Sequence, residues 1–536
     1  MKSYHKITRV MSCVLFPAIV GVLTGVLIFL FKITSSKVMH LSENVYSAVR
    51  ENPKYLPLLI LGVTAIGVGA AFLLKYAKEC RGGGIPTAIA SIRGLIPMQW
   101  LQGLFGLYLS SMLTYIAGVP LGNEGPSVQM GAAAGKATTD LLIPKNKRAW
   151  ERYMMTGGAC SGFAIATGAP ISGIIFALEE AHRRFSPAIF MVASISVLTG
   201  TVTQKALSAA FNVNTSLFHL TIDKILPLKS IWVTMIIGVV CGLCAILFTH
   251  MYNVLKSTGS GSKFKLPFML RITIIFTTVA ILGFFSADFI GSGHSLIEKI
   301  LARESIWYII LLAFVIRGAL LIFSNTQGVS GGIFIPTLAF GAIIAALIAE
   351  IFISAGMIAE EYHSILIVIG MTSFLSASSR IPLTALVFAA EALCVTENIL
   401  PVAVGVIIAY FVAEASGKES YTDTVIETRT ETAHKDRLAV IVDSNMTVQP
   451  GAFATHMQLR DIIWPPTCVI LSISKKHSVL HDHQSKLEEG DTLHIHYRTY
   501  NTRATQQALY DILGEQPKDK NAKIRFGNDH HITPLE

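Results

Sequence analysis

Apolar positions along this chain come in long unbroken blocks rather than in alternation. Val10–Phe31, Tyr55–Leu74, Phe185–Gln204, Ser230–Leu255, Gly318–Ala349 and Asn398–Ala413 carry no Asp, Glu, Lys or Arg. Each is near or beyond the roughly 17–25 residues that a helix needs to cross a bilayer. Gly94–Asn123 is likewise uncharged. The pattern predicts a polytopic, all-α membrane protein. From about residue 415 it changes: polar and charged positions dominate and apolar runs shorten. The chain is therefore divided into a membrane domain (1–432), a small α+β domain (433–514) and a charged tail (515–536). In the small domain, 437–443, 467–474, 477–482 and 490–497 read as strands, and 453–462 and 502–514 as helices.

Within the membrane domain the pattern recurs. GAPISGIIFALE (168–179) and RIPLTALVFAAE (380–391) place Pro170/Pro382, Phe176/Phe388 and Glu179/Glu391 at one common spacing of 212. Pro126/Pro336 and Gly131/Gly341 lie 210 apart, and Gly82/Gly291 and Gly84/Gly293 lie 209 apart. Gly/Pro-interrupted segments that recur in order suggest a transporter built from structural repeats. Such interruptions leave half-helices whose free N–H groups carry roughly +0.5 of an elementary charge. Several converging N-termini bind an anion without a buried base.

Composition sharpens this picture at a few points. The 536 residues are 52% hydrophobic and 14% charged, against about 25% charged in soluble domains. The net charge of +9 does not point to nucleic acid, because the bases gather in short loops such as KYAKECR (75–81) and KNKRAWER (145–152), as positive-inside flanks do. Lys2, Lys6 and Arg9 precede the first apolar block, which is too long for a cleaved signal. Both termini are expected in the cytoplasm. Seven scattered cysteines give no disulfide framework. Cys241 and Cys244 read as packing residues within an apolar helix. His481/His483 and His494/His496 share strand faces and read as solvated histidines, so no metal site is expected. Gly328–Gly332, GVSGG, has the spacing of a hydrolase elbow, but it lies between apolar segments. The chain is not read as an enzyme, and no cofactor is expected.

Four stretches carry candidate chemistry: GGGIP (82–86), GNEGP (122–126), GGIFIP (331–336) and SGKESYTDTVIETR (416–429). In GNEGP a lone carboxylate, Glu124, ends an uncharged segment beside Gly125 and Pro126. An ionisable group at membrane depth costs about 2.5–3.5 kcal/mol even by lenient scales, which marks it as functional. These motifs, in this order, resemble the CLC family of chloride channels and proton-coupled chloride transporters. The resemblance covers about residues 12–430. It implies inverted repeats and a homodimer with a separate pore in each subunit. It implies that Glu124 is a gating carboxylate that competes with the anion when ionised and swings out when protonated. It aligns Glu180 with the internal proton-transfer glutamate and Glu179 with a supporting neighbour. It further implies an anion site formed by Gly83, Gly84, Ile85, Glu124, Gly125, Ile333, Phe334 and Tyr421.

Two positions depart from the usual family motifs. Gly83 replaces a pore serine and Asn123 replaces an arginine, which leaves anion selectivity open. The first reading is a chloride/proton antiporter of the inner (plasma) membrane. A passive chloride channel and a fluoride/proton antiporter are the alternatives. The segments LRDIIWPPTCVILSI and LEEGDTLHIHYR resemble the regulatory C-terminal subdomain of potassium-conductance regulators (RCK-C or TrkA-C type). That resemblance implies a prokaryotic protein whose appended domain either binds an unidentified small ligand or stabilises the dimer. The expected partners are a second copy of the chain, chloride, protons and the lipid bilayer.

Overall fold

The computed structural model describes residues 2–82, 84–143, 147–214, 217–218, 224–261, 266–435, 437–475, 478–480, 485–516, 523–526 and 532–534. The first half of the membrane domain comprises α1 (Lys2–Glu51), α2 (Leu56–Tyr76), α3 (Ile85–Ile92), α4 (Leu107–Ile116), α5 (Glu124–Leu142), α6 (Lys147–Thr167), α7 (Pro170–Phe176) and α8 (Pro187–Phe211). The second comprises α9 (Ile231–Gly261), α10 (Phe268–Phe285), α11 (His294–Leu301), α12 (Trp307–Gln327), α13 (Phe334–Ser354), α14 (His363–Ser379), α15 (Pro382–Ala392) and α16 (Ile399–Glu414), followed by α17 (Tyr421–His434). Among the described residues, nine helical spans are long and apolar enough to cross a membrane. This is a multi-pass membrane protein.

The repeat read from Gly and Pro positions is a repeat of contacts. Helix α5 packs on α6 as α13 packs on α14, α1 on α8 as α9 on α16, and α6 on α8 as α14 on α16. Likewise α3 meets α5 as α11 meets α13, and α2 meets α4 as α10 meets α12. The pairs α2·α10 and α7·α15 join each element to its own counterpart across the two halves. Small residues set the close crossings. A Cβ on Gly131 would collide with the Gly158 backbone, and one on Gly341 with the Gly370 backbone. Membrane helices use such small contacts because van der Waals fit, not water exclusion, drives their association.

Proline marks the starts. Helices α3, α5, α7, α8, α13 and α15 all have proline in the first turn, where no intrahelical N–H bond is lost. Of these, α3, α5 and α13 begin among buried residues, at Ile85, Glu124 and Phe334.

Among the described residues the appended domain forms one antiparallel six-stranded sheet, ordered β3-β2-β4-β1-β5-β6, and one α-helix, α18 (Thr502–Leu513). Its strands are β1 (Val440–Thr447), β2 (Val469–Lys475), β3 (Ser478–Leu480), β4 (Thr492–Thr499), β5 (Lys523–Phe526) and β6 (Ile532–Pro534). Two expectations are corrected here. Residues 453–462 form turns and a short 3-10 segment at Leu459–Asp461, not a helix. Their amides bond across the chain instead, His456 N to Leu487 O at 2.7 Å and Leu459 N to Ser485 O at 3.2 Å. The stretch after 515 is not merely a charged tail, since β5 pairs with β1 and β6 with β5.

This domain is seated on the membrane domain. Tyr153 Oη donates to Asp461 O and accepts from Ile463 N, Arg152 donates to Trp464 O, and Arg184 donates to Ile462 O. Trp150 meets Phe453 edge-on at 5.2 Å, and His434 stacks on Tyr500 at 4.2 Å. His496 Nδ1 lies 2.6 Å from Asp443 Oδ1. His481 and His483 lie outside the described residues.

Candidate anion site and carboxylate pair

Three helix N-termini converge on one point. Gly122 and Gly332 exchange two backbone hydrogen bonds, each 2.7 Å, so the entries to α5 and α13 are tied together. A Cβ on Gly125 would lie 2.7 Å from Gly332 Cα and 2.9 Å from Gly84 Cα. The backbones that open α3, α5 and α13 therefore touch, and only glycine permits it. Ile85, Ile333 and Phe334 are buried at this junction. The first N–H groups of the three helices concentrate positive potential there. Gly83 lies outside the described residues. Gly84 N donates to Gln129 Oε1 at 2.9 Å, so a side chain of α5 already holds that amide. Tyr421 is 1% exposed and rests against Phe248 and Tyr252. Its hydroxyl has no hydrogen-bond partner among the described residues.

Glu124 is the first residue of α5 and is 1% exposed. Its carboxylate lies against the backbone amides of Glu124 and Ile335, at the start of α13 where an anion would be held. Oε2 has no hydrogen-bond partner among the described residues. Outside it opens a vestibule of about 240 Å³ whose walls include Lys32, Tyr115, Asn123 and Ser292. Tyr115 Oη donates to Gly122 O at 2.9 Å and braces the turn. Lys32 reaches from α1 to donate to Ala166 O at 2.8 Å, and its charge interacts with Glu124. Asn123 Nδ2 donates to Ser35 Oγ at 3.0 Å on the same helix.

The adjacent acids Glu179 and Glu180 lie on a π-helical turn, Ala177–Ala181, that continues α7. Glu180 turns inward. It is 3% exposed, and Oε1 accepts from Thr422 Oγ1 at 3.1 Å, beside Tyr421. Arg93 clamps the turn by donating to Glu180 O at 2.7 Å and Ala181 O at 2.9 Å. A constricted cavity of about 10 Å³ is bordered by Glu180, Thr422, Ile85, Ile333 and Phe334, near the lower limit for one water. Glu179 turns the other way. Its carboxylate accepts from Leu383 N at 2.8 Å, Thr384 N at 2.7 Å and Thr384 Oγ1 at 2.6 Å, capping α15. Glu391 returns the contact, accepting from Ile171 N at 2.9 Å and Ser172 N at 2.8 Å at the start of α7.

The structure thus brings Gly84, Ile85, Glu124, Gly125, Ile333 and Phe334 to one junction, with Glu180 and Thr422 around the cavity beneath it. The Glu179 carboxylate stands apart, capping the start of α15. Sequence reasoning missed Lys32, Arg93, Tyr115 and Gln129. Only Lys32 left a trace, as a base directly after an apolar block.

Comparison with known proteins shows what the chain is similar to. A family model described as voltage gated chloride channel matches residues 62–414. The H(+)/Cl(-) exchange transporter ClcA of Salmonella paratyphi B is 27% identical over 425 residues, spanning 78% of this chain and 88% of that relative. The protein of the same name from Citrobacter koseri is 27% identical over 428 residues, with the same coverage. Among solved structures, a slow cyanobacterial Cl-/H+ antiporter superposes with a TM-score of 0.71 at 24% identity, covering 78% of this chain and 98% of the other. A CLC-type fluoride/proton antiporter superposes with a TM-score of 0.60 at 20% identity, covering 76% and 96%. These two likenesses concern the fold.

Proposed function

The chain belongs to the voltage-gated chloride channel (CLC) family, and from that premise we propose that it exchanges chloride for protons. In this reading Glu124 is the gate and Glu180 the inner proton relay. The observation that carries it is the buried Glu124 carboxylate lying against the Ile335 amide at the start of α13. A carboxylate and a chloride compete there for the same N–H groups. Protonation removes the charge that holds the side chain, so anion entry and proton uptake alternate. The Glu180 cavity supports a second proton position on the opposite side of the junction, with Thr422 and Arg93 fixing it.

Other parts of the reading follow. The transported ions are chloride and protons, and no cofactor takes part. The junction at Gly84, Ile85, Gly125, Ile333 and Phe334, completed by Gly83 and Tyr421, binds the anion. Two subunits assemble, each with its own path, as the family resemblance implies. The protein resides in a prokaryotic plasma membrane with both termini inside. Sequence position 433 separates transporter from regulatory domain.

The test is a proteoliposome assay that records chloride efflux and proton uptake together. A chloride gradient is expected to drive protons uphill. Chloride efflux without proton movement at any pH would leave a passive channel.

Glu180→Gln is expected to slow proton uptake by roughly 10²-fold, in the range for loss of a positioned acid–base group. Chloride binding by calorimetry is expected to stay within about twofold, because the Glu180 carboxylate bonds the Thr422 hydroxyl rather than the N–H groups of the helix junction. Equal loss of binding and proton uptake would assign Glu180 to the anion site.

Removal of residues after about 433 is expected to leave coupled exchange intact, since all four motifs precede that point. The rate is expected to change, because Arg152, Tyr153 and Arg184 lose their partners at 461–464. Flux through a well-folded truncated protein decides it; complete loss of exchange would place the domain in the transport mechanism.

A further inference from the structure

Three arginines gather at the end of the membrane domain that carries the appended domain, and the transport mechanism uses none of them. Arg429, two turns along α17 from Tyr421, lies directly on Gly82, the first glycine of the GGGIP segment. A Cβ on Gly82 would overlap its guanidinium, and Gly82 has φ +55°. Arg81 is the preceding residue. It packs on Gly328, whose carbonyl accepts from Gly82 N at 2.8 Å. Arg81 Nε donates to Leu74 O at 2.8 Å, and its guanidinium stacks on the Phe268 ring at 4.1 Å. Arg271, one turn further along α10 from Phe268, donates Nη1 to Gln327 Oε1 at 2.6 Å, next to Gly328. The segments 81–82 and 327–328 thus bind the three side chains into one cluster.

Among the described residues the cluster lacks a counter-charge. Among the described residues none of the three arginines forms an ion pair. Arg271 Nε is buried with no hydrogen-bond partner among the described residues. Two nearby acids in the chain are engaged elsewhere. Glu79 Oε2 accepts from Gln99 N, and Glu431 pairs with Lys256. Burial, and then the neighbouring Arg429 and Arg271, hold Arg81 below the ordinary arginine value. Like charges this close are stabilised when an anion sits between them. Guanidinium groups present paired N–H donors that match an anion with several oxygens, whereas a halide offers a single centre.

We propose that Arg81, Arg271 and Arg429 form a binding site for a phosphoryl group, placed so that its occupant covers Gly82 at the start of the GGGIP segment. The inhibitory consequence rests on the antiporter reading; the binding does not. Free phosphate compounds and phospholipid headgroups share this chemistry, and the position beside the path favours the free compound.

The experiment is calorimetric titration of inorganic pyrophosphate into delipidated full-length protein at fixed ionic strength, with bound lipid phosphorus assayed on the same sample. Saturable binding is expected in the unaltered protein, at least roughly tenfold weaker in Arg429→Gln and in Arg271→Gln. Arg429→Lys, which keeps the charge and loses the fork, should fall between. Exposed Lys418→Gln serves as the control and should bind as the unaltered protein does. Phosphorus retained by the unaltered protein and lost from both variants would identify the lipid headgroup as the source. Absence of both signals, or pyrophosphate binding unchanged in both folded variants, overturns the site. In liposomes, pyrophosphate on the same face should slow chloride flux. If binding holds while no protons move, the site stands and the antiporter reading fails.

Discussion

Glu124→Gln is expected to abolish proton uptake while chloride continues to move. The amide keeps the size of the side chain and removes its ability to ionise. In the native protein the carboxylate lies on the amides of Glu124 and Ile335 and shares its vestibule with Lys32. Each of these groups favours a negative charge at that point. A neutral side chain no longer competes with chloride for them, so the anion site stays open. No group then alternates between a proton-bearing and an anion-displacing state. Proton uptake is expected to fall by roughly 10²-fold or more, the scale of a lost acid–base residue. Chloride flux is expected to persist and to lose its dependence on pH. Simultaneous recording from chloride and pH electrodes on the same liposomes measures both. Proton uptake at the native ratio in Glu124→Gln would remove Glu124 from the gate.

Much of this arrangement was legible in the sequence because its signals are compositional. Uncharged blocks mark membrane helices, since lipid leaves the backbone no partner but itself. Gly and Pro mark the interrupted segments, since few other residues start a helix inside a crowded fold. GNEGP and GGIFIP, 122–126 and 331–336, name the two turns that the structure ties together through Gly122 and Gly332. What escaped depends on long-range contact. Lys32 reaches α6 across 134 residues, and Arg93 holds the Glu180 turn across 87; no local pattern announces either. Glu179 is a supporting neighbour of Glu180 only through the family resemblance, since adjacent helix residues point about 100° apart. Its direction is set by α15, whose first amides need an acceptor. The expected helix at 453–462 failed for a related reason. Its amides found carbonyls at 485–487, and the pairing outweighed local propensity.

The largest structural effect is expected from a single methyl group. In Gly125→Ala the new Cβ would stand 2.7 Å from Gly332 Cα and 2.9 Å from Gly84 Cα. Both neighbours are backbone, so neither yields by rotating a side chain. Gly125 is not among the residues of positive φ, so the cost is steric rather than conformational. Overpacking of a tight interior typically costs about 1–3 kcal/mol. Relief requires the starts of α3, α5 and α13 to move apart by tenths of an ångström. Their N–H groups are the donors proposed for the anion, and a hydrogen bond weakens steeply as it lengthens and bends. Gly125→Ala is therefore expected to lower the thermal midpoint and to weaken chloride binding on the order of tenfold, equivalent to about 1.4 kcal/mol. Gly69→Ala is the matched control, since a Cβ there meets nothing within 4 Å and the residue lies within α2. It is expected to leave chloride affinity unchanged and to hold or raise the midpoint, because alanine favours the helix. Thermal unfolding and chloride calorimetry on the two variants separate loss of the junction from general destabilisation. Native chloride affinity in a folded Gly125→Ala protein would mean that the anion is not held by the three helix starts that meet at this glycine.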